Sequence, residues 1–186
     1  MSSKGYFLDT SAIAKLYLDE VGSHRMKELY DNKENNLAYS ELAYTESISA
    51  FRKIKNRGTL TEEELDEIIE SFQTDFYKNP AENMFPISLS DVVFKAPDIM
   101  KEAHKLKDKV NPSLQYLQSL DSLQLTSWLY LVEQGLDFTF VTSDTRLASI
   151  ATTYKDSKGW DLQIINLAVC ACEGCDSLRE AERAAS

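Results

Sequence analysis

The stretch YFLDTSAIAKLYLDE, residues 6 to 20, starts as a short buried strand and continues as a helical pattern. A carboxylate, Asp9, stands where the apolar run of the strand ends, and Thr10 and Ser11 follow it. In parallel α/β sheets, ligands bind in the crevice beyond the carboxyl ends of the strands. The stretch therefore predicts a strand–helix unit with a candidate functional residue at the point where the strand ends.

The same alternation of short apolar runs and longer helical patterns continues along the chain. We predict strands at residues 6–8, 37–39, 85–88, 138–142 and 162–166. Helical patterns cover residues 11–18, 23–30, 40–55, 61–77, 120–134 and 145–154, and Pro97 is expected in the first turn of a further helix. Thr61 and Glu64 predict a capping box at the start of the helix at 61–77. Its apolar stripe is expected to consist of Leu65, Ile68, Ile69, Phe72 and Phe76. Strands separated by helices need crossover connections, so the pattern predicts an α/β fold with a parallel sheet.

Length and composition indicate one globular domain. The chain has 186 residues, of which 43 % are hydrophobic and 27 % charged. No apolar run approaches the ~18 to 20 residues that cross a bilayer. Because Asp9 interrupts the only early apolar run, we expect no signal peptide and a soluble, cytoplasmic protein.

Three cysteines lie close together near the C-terminus. Cys170, Cys172 and Cys175 are an odd number and cannot form a closed disulfide framework. The spacing C-x-C-x-x-C would hold zinc if Glu173 or Asp176 supplied the fourth ligand. Both histidines are remote in sequence, so we favour plain thiols over a structural metal.

The charge balance is unfavourable for bulk binding of nucleic acid. With 30 acidic and 20 basic side chains, the formal net charge is −10. The stretch RKIKNR is a local exception, since Arg52, Lys53, Lys55 and Arg57 end a predicted helix. Basic residues complement a helix C-terminus, so a plain solvated face also explains this stretch.

Four carboxylates are expected to meet at the carboxyl edge of the sheet. Asp9 and Asp144 follow the first and fourth predicted strands. Glu46 shares or borders the apolar face of the helix after the second strand, and Asp121 opens a mostly apolar helix whose dipole favours its ionised form. Singly, these acids are explained as helix caps, a first-turn charge or a partner of a basic neighbour. Their joint placement predicts a shared site.

The ligand chemistry follows from the residue types. Carboxylates without His or Cys favour Mg²⁺ or Mn²⁺ over zinc. One or two such ions orient and deprotonate a water, neutralise a phosphate and stabilise a leaving oxygen. The four acids therefore predict metal-dependent hydrolysis of a phosphate ester.

Four segments carry a resemblance to a known family. FLDTSAIAKLYLDE, SELAYTESISAFRKI, LQSLDSLQLTSW and FVTSDTRLASIA resemble, in this order, the acidic motifs of the PIN-domain ribonucleases. The resemblance is closest to the VapC-type toxins of toxin–antitoxin pairs and covers about residues 5 to 168. It implies a PIN-like three-layer fold, with a central, mostly parallel sheet of about five strands flanked by helices. It also implies a nuclease domain over residues 1–168 and a C-terminal tail over residues 169–186, which we expect to be partly helical.

The resemblance assigns roles to residues of this chain. It makes Asp9, Glu46, Asp121 and Asp144 the metal-binding catalytic acids. The supporting polar residues that it implies are Thr10, Ser11 and Ser143. We expect Mg²⁺ or Mn²⁺ as cofactor and RNA as substrate, with Lys15, Arg52, Lys53 and Arg57 as candidate contacts to the RNA backbone. A small antitoxin partner and a homodimer are further implications.

Two other classes of function stay open. A haloacid-dehalogenase-like phosphatase also begins with a strand and an Asp, but it needs a second Asp where this chain has Ser11. A non-catalytic PIN-like module that binds RNA or protein is harder to separate from a nuclease. The acidic helix at 61–77 and the tail after Ala168 make the chain longer than small toxin relatives. This difference argues against the toxin role more than against the nuclease chemistry.

Overall fold

The computed structural model describes residues 4–78, 80–109, 113 and 116–169. Its strands are β1 (Gly5–Leu8), β2 (Asn36–Ser40), β3 (Met84–Ile87), β4 (Phe138–Thr142) and β5 (Ile164–Asn166). Its α-helices are α1 (Thr10–Ala14), α2 (Ser23–Asp31), α3 (Ala43–Asn56), α4 (Glu62–Gln73), α5 (Leu89–Val92), α6 (Ala96–Lys109), α7 (Ser119–Glu133) and α8 (Thr145–Lys158). A π-helical turn (Thr74–Lys78) follows α4, and a 3₁₀ turn (Leu167–Val169) follows β5.

The five strands form one sheet in the order β3-β2-β1-β4-β5. Every pair of neighbours is parallel, and the register aligns Leu8 at the end of β1 with Tyr39 of β2 and Val141 of β4. The carboxyl ends of the three central strands therefore lie side by side at one edge of the sheet.

Helices cover both faces of this sheet. Successive strand residues point to opposite faces, so Tyr6 and Leu8 join one hydrophobic core and Phe7 joins the other. Helices α1 to α4 pack on the first face and α5 to α8 on the second. This arrangement confirms the predicted α/β class and the three layers around a central parallel sheet.

The second core fixes α7 against the sheet. Trp128 is fully buried, and its Nε1 donates a hydrogen bond of 2.6 Å to the carbonyl oxygen of Phe138. The ring of Phe140 lies between those of Phe7 and Trp128, with centroid distances of 5.8 and 5.2 Å. These contacts hold α7 over β4 and so determine where the first turn of α7 lies.

Several predicted boundaries need correction. The first predicted helix, residues 11–18, ends at Ala14, where the chain enters turns. The helix predicted from residue 40 begins at Ala43, because Ser40 still pairs with Ile87 in the sheet. The short helix α5 was not predicted.

The predicted helix at 61–77 is divided in two. Its capping box is confirmed, since Thr61 Oγ1 accepts from the Glu64 amide at 3.2 Å while Glu64 Oε2 accepts from the Thr61 amide at 2.8 Å. The last turn widens into a π-helix, and Tyr39 donates a hydrogen bond of 2.7 Å to the carbonyl oxygen of Phe76 there. Of the predicted stripe, Leu65, Phe72 and Phe76 are buried.

Two further predictions concern the membrane and the C-terminal tail. Within the described ranges, no helix is both long and apolar enough to span a bilayer. The cysteines Cys170, Cys172 and Cys175, and the tail beyond Val169, lie outside the described residues.

Candidate active site

The ends of β1 and β4 bring Asp9 and Asp144 to the same edge of the sheet. The Asp9 amide donates to the carbonyl oxygen of Val141 at 3.0 Å, which continues the strand pairing one residue beyond β1. Asp144 follows the last residue of β4 by two positions and begins α8. Both positions agree with the prediction from the strand ends.

One pocket at this edge contains all four predicted acids. It has a volume of about 440 Å³, and its lining includes Asp9, Glu46, Asp121, Asp144 and Lys53. Thr10 and Ser11 also contribute to the lining. Carboxylates from four separated segments therefore face one space.

Asp9 is buried in a way that a structural cap does not explain. Its exposed fraction is 5 %, and it stands at the N-cap of α1 without capping that helix through its side chain. Instead, Asp9 Oδ2 accepts hydrogen bonds from Ser11 Oγ at 2.6 Å and Thr142 Oγ1 at 2.7 Å. From the described part of the chain, its Oδ1 accepts no hydrogen bond.

Burial raises the pKa of Asp9 from an ordinary 3.8 to about 6. The hydrogen bonds from Ser11 and Thr142 oppose this rise because they favour the ionised form. The negative charges of Glu46 and Asp121 add to it. The Asp9 carboxyl group therefore interacts electrostatically with two of the other acids.

Glu46 is held by neutral donors. Thr10 Oγ1 and Gln124 Nε2 each donate to Glu46 Oε2 at 2.7 Å, and Gln124 Nε2 lies 2.7 Å from Thr10 Oγ1 as well. Gln124 is 1 % exposed, and its Oε1 is buried with no partner among the described residues. The donors observed on Glu46 are thus an amide and a hydroxyl, and the basic neighbour that sequence suggested is not among them.

Asp144 has one oxygen in a helix cap and the other in an ion pair. Its Oδ1 accepts from the amides of Arg146 at 2.8 Å and Leu147 at 3.0 Å, which confirms the predicted cap of α8. Its Oδ2 lies 3.4 Å from Arg146 Nη2. The same nitrogen donates to Asp121 Oδ2, so Arg146 lies between the two carboxylates.

The pKa of Asp121 is raised, mainly because the carboxyl group is partly buried. The positive charge of Arg146 opposes the rise, and the negative charges of Asp144 and Glu46 add to it. The helix dipole was expected to favour the ionised form of Asp121. Burial acts in the opposite direction, because it disfavours the charged form.

The other predicted residues divide into those near the pocket and those away from it. The Ser143 amide donates to Ser11 Oγ at 2.8 Å, so its backbone supports the Asp9 environment. Lys15 is buried, and its Nζ lies 2.5 Å from Glu20 Oε2, away from the pocket lining. Arg52, Lys53 and Arg57 are all exposed on or just after α3, and of these three Lys53 lines the pocket.

The donor set fits a hard divalent ion by its chemistry. Four carboxylates around one pocket are oxygen ligands of the kind that Mg²⁺ and Mn²⁺ prefer. In the described part of the chain, however, no group of three or more His, Cys, Asp or Glu side chains is placed close enough to hold a metal ion. Asp9, Glu46, Asp121 and Asp144 each accept hydrogen bonds from protein donors.

Sequence reasoning missed three residues that hold the acids in place. Gln124 lies three residues after Asp121 and therefore on the same side of α7, a spacing that offered a cue. Arg146 follows Asp144 by two residues, and Thr142 ends β4. Their importance depends on contacts with distant segments, which spacing along the chain does not reveal.

No protein-family model matches the sequence, and no curated protein matches it either.

Proposed function

We propose that this chain is a divalent-metal-dependent endoribonuclease of the PIN type, which hydrolyses RNA phosphodiesters. The observation that carries the proposal is the convergence of Asp9, Glu46, Asp121 and Asp144 on one pocket at the carboxyl edge of the sheet. The resemblance of the four motifs stands beside this observation and supplies the step to RNA.

The chain's own residues orient the proposed ligands. Ser11 and Thr142 hold Asp9 through Oδ2, which leaves Oδ1 without a hydrogen bond from the described residues. Thr10 and Gln124 hold Glu46. Mg²⁺ or Mn²⁺, when bound by these acids, would supply an activated water and neutralise phosphate charge.

Substrate contact is proposed to depend on local cations. With a net charge of −10, the chain repels a polyanion at long range. Lys53 lines the pocket seven residues after Glu46, which is two turns further along the same side of α3. Arg57 follows Lys53 by four residues and continues that side. The RNA backbone would therefore enter the pocket along α3.

A second candidate function is a non-catalytic PIN-like module that binds RNA or protein. One observation favours it, namely that all four acids already accept hydrogen bonds from protein donors, and no metal-holding group is found in the described part of the chain. The two candidates differ in what a divalent ion does: a nuclease cleaves RNA when the ion is added, and a binding module does not.

The resemblance extends the proposal to biological context. It suggests a cytoplasmic toxin that pairs with a small antitoxin and forms a homodimer. Size-exclusion chromatography with light scattering measures the oligomeric state, and a monomer at all protein concentrations would contradict the dimer.

The test of the nuclease proposal is RNA cleavage under metal control. A panel of structured RNAs is incubated with parent protein in Mg²⁺, Mn²⁺ or chelator, alongside Asp9→Asn and Asp121→Asn. Cleavage should need a divalent ion and be lost in both variants. Asp137→Asn is the matched control, because Asp137 is exposed and precedes β4 at the opposite edge of the sheet. Cleavage that persists in chelator, or full activity in both pocket variants, would overturn the proposal.

A further inference from the structure

We propose that Arg146 is an internal counterion that occupies the acidic site when no divalent ion is bound and that must leave Asp121 and Asp144 before an ion binds them. This inference rests on the proposed function. It concerns a residue that is neither a carboxylate ligand nor part of the basic stretch at residues 52–57.

Arg146 places a positive charge between two of the acids. A single nitrogen, Arg146 Nη2, donates to Asp121 Oδ2 and to Asp144 Oδ2. A cation between two carboxylates from different helices occupies the kind of position that a metal ion would take. The side chains of Arg146 and Asp121 are only 19 % and 21 % exposed, so solvent screens their attraction less than it screens a surface pair.

Asp144 has no second oxygen free to bind an ion. Its Oδ1 already accepts two hydrogen bonds, from the amides of Arg146 and Leu147. A carbonyl-type oxygen has two lone pairs, so the cap of α8 uses both. An ion that binds Asp144 without breaking the cap must therefore take Oδ2, the oxygen that faces Arg146 Nη2.

The acids repel one another and need a positive charge when no metal is present. Burial is the main cause of the raised pKa of Asp9 and of Asp121, and the negative charges of neighbouring acids add to both rises, whereas the charge of Arg146 opposes the rise at Asp121. Arg146 thus reduces repulsion within the pocket. Because Arg146 is part of α8, its side chain leaves the two carboxylates by a change of rotamer. A metal ion therefore competes with an intramolecular contact.

The experiment compares parent, Arg146→Gln and Arg146→Lys by two measurements that do not depend on activity. Isothermal titration calorimetry gives the Kd for Mn²⁺ at fixed ionic strength, and thermal melts in chelator give the stability of the metal-free fold. Arg146→Gln should bind Mn²⁺ with a Kd roughly tenfold lower, within the usual range of coupling between two binding events. It should melt about 5 °C lower in chelator, because the acids lose their counterion.

Arg146→Lys keeps the proposal testable if Arg146→Gln fails to fold. Its ammonium keeps the charge without the planar fork of the guanidinium, so its Kd and its melting temperature should lie between those of the other two proteins. Arg52→Gln is the matched control, since it removes the same charge from an exposed position outside the pocket lining. It should change neither quantity.

The outcomes separate the two proposals. Parent and Arg146→Gln binding Mn²⁺ equally, or equal melting temperatures in chelator, would overturn the role of Arg146 while the metal-dependent nuclease stands. Mn²⁺ binding to none of the three proteins would overturn the nuclease proposal and the counterion with it.

Discussion

Thr142 Oγ1, on the last residue of β4, donates a hydrogen bond of 2.7 Å to Asp9 Oδ2, one residue beyond the end of β1. The same Oγ1 accepts from the Asp144 amide at 3.0 Å. One hydroxyl therefore connects two of the four acids across neighbouring strands. The connection keeps Asp9 in a buried position, where its charge is costly.

The first prediction is that Asp9→Asn stabilises the metal-free protein at neutral pH. The rise in the Asp9 pKa from 3.8 to about 6 corresponds to about 3 kcal/mol of unfolding free energy, which the neutral amide would recover in part. Denaturant titrations in chelator measure the difference, with Asp137→Asn as the control at the other edge of the sheet. A variant less stable than the parent would show that Asp9 has a mainly structural role.

Metal should reduce this difference. An ion at tenfold its Kd stabilises the fold that binds it by about 1.4 kcal/mol, or roughly 3 to 6 °C in Tm for a chain of this length. The parent should gain this shift in Mg²⁺ or Mn²⁺, and Asp9→Asn should gain little. Equal shifts in both proteins would indicate that the ion binds elsewhere.

A second prediction concerns pH. Because the folded-state pKa of Asp9 is raised, the folded protein binds more protons than the unfolded chain between about pH 4 and 6. The contribution of Asp9 is therefore fully favourable below pH 4 and is lost as pH rises through about 6. The stability advantage of Asp9→Asn over the parent should be near zero at pH 3.5 and largest at pH 7. A difference that does not change with pH would contradict the raised pKa.

The third prediction compares the contribution to RNA binding of a lysine that lines the pocket with that of an arginine outside it. Lys53→Gln should weaken RNA binding and reduce the slope of log K against log salt by about 0.7 to 0.9, because one phosphate contact is lost. Arg52→Gln removes an equal charge from the same helix outside the pocket lining, and it should have a smaller effect. Fluorescence anisotropy in chelator over a salt series measures both slopes. Slopes equal to the parent's in both variants would mean that the basic stretch is only a solvated face.

A fourth prediction addresses Gln124. Gln124→Met has a similar shape but no donor, so Glu46 and Thr10 each lose a hydrogen bond. We expect the unfolding free energy at pH 7 to fall by about 1 to 3 kcal/mol, since one of the two lost bonds has the Glu46 carboxylate as its acceptor. Gln134→Met, at an exposed position just after the same helix, is the control. No loss of stability in Gln124→Met would show that water replaces the amide at Glu46.

Local pattern was sufficient to predict most of the elements. The run Phe138–Thr142 was predicted with the bounds that it has, and the capping box at Thr61 identified the start of α4. The errors occurred where tertiary contacts decide the ends of elements. Pairing with β3 keeps Ser40 in a strand, and the turns after Ala14 shorten the first helix.

The sequence by itself determined that strands and helices alternate, because burial periodicity is a local property of the chain. It also determined that Asp9 and Asp144 share an edge, because the carboxyl ends of parallel strands lie together. Only the tertiary structure decided which donor each acid has. Gln124 reaches Glu46 across 78 positions of the chain, and Arg146 reaches Asp121 across 25. Such contacts depend on how the crossover helices pack over the two faces of the sheet. They in turn decide which carboxylate oxygens remain open to an ion.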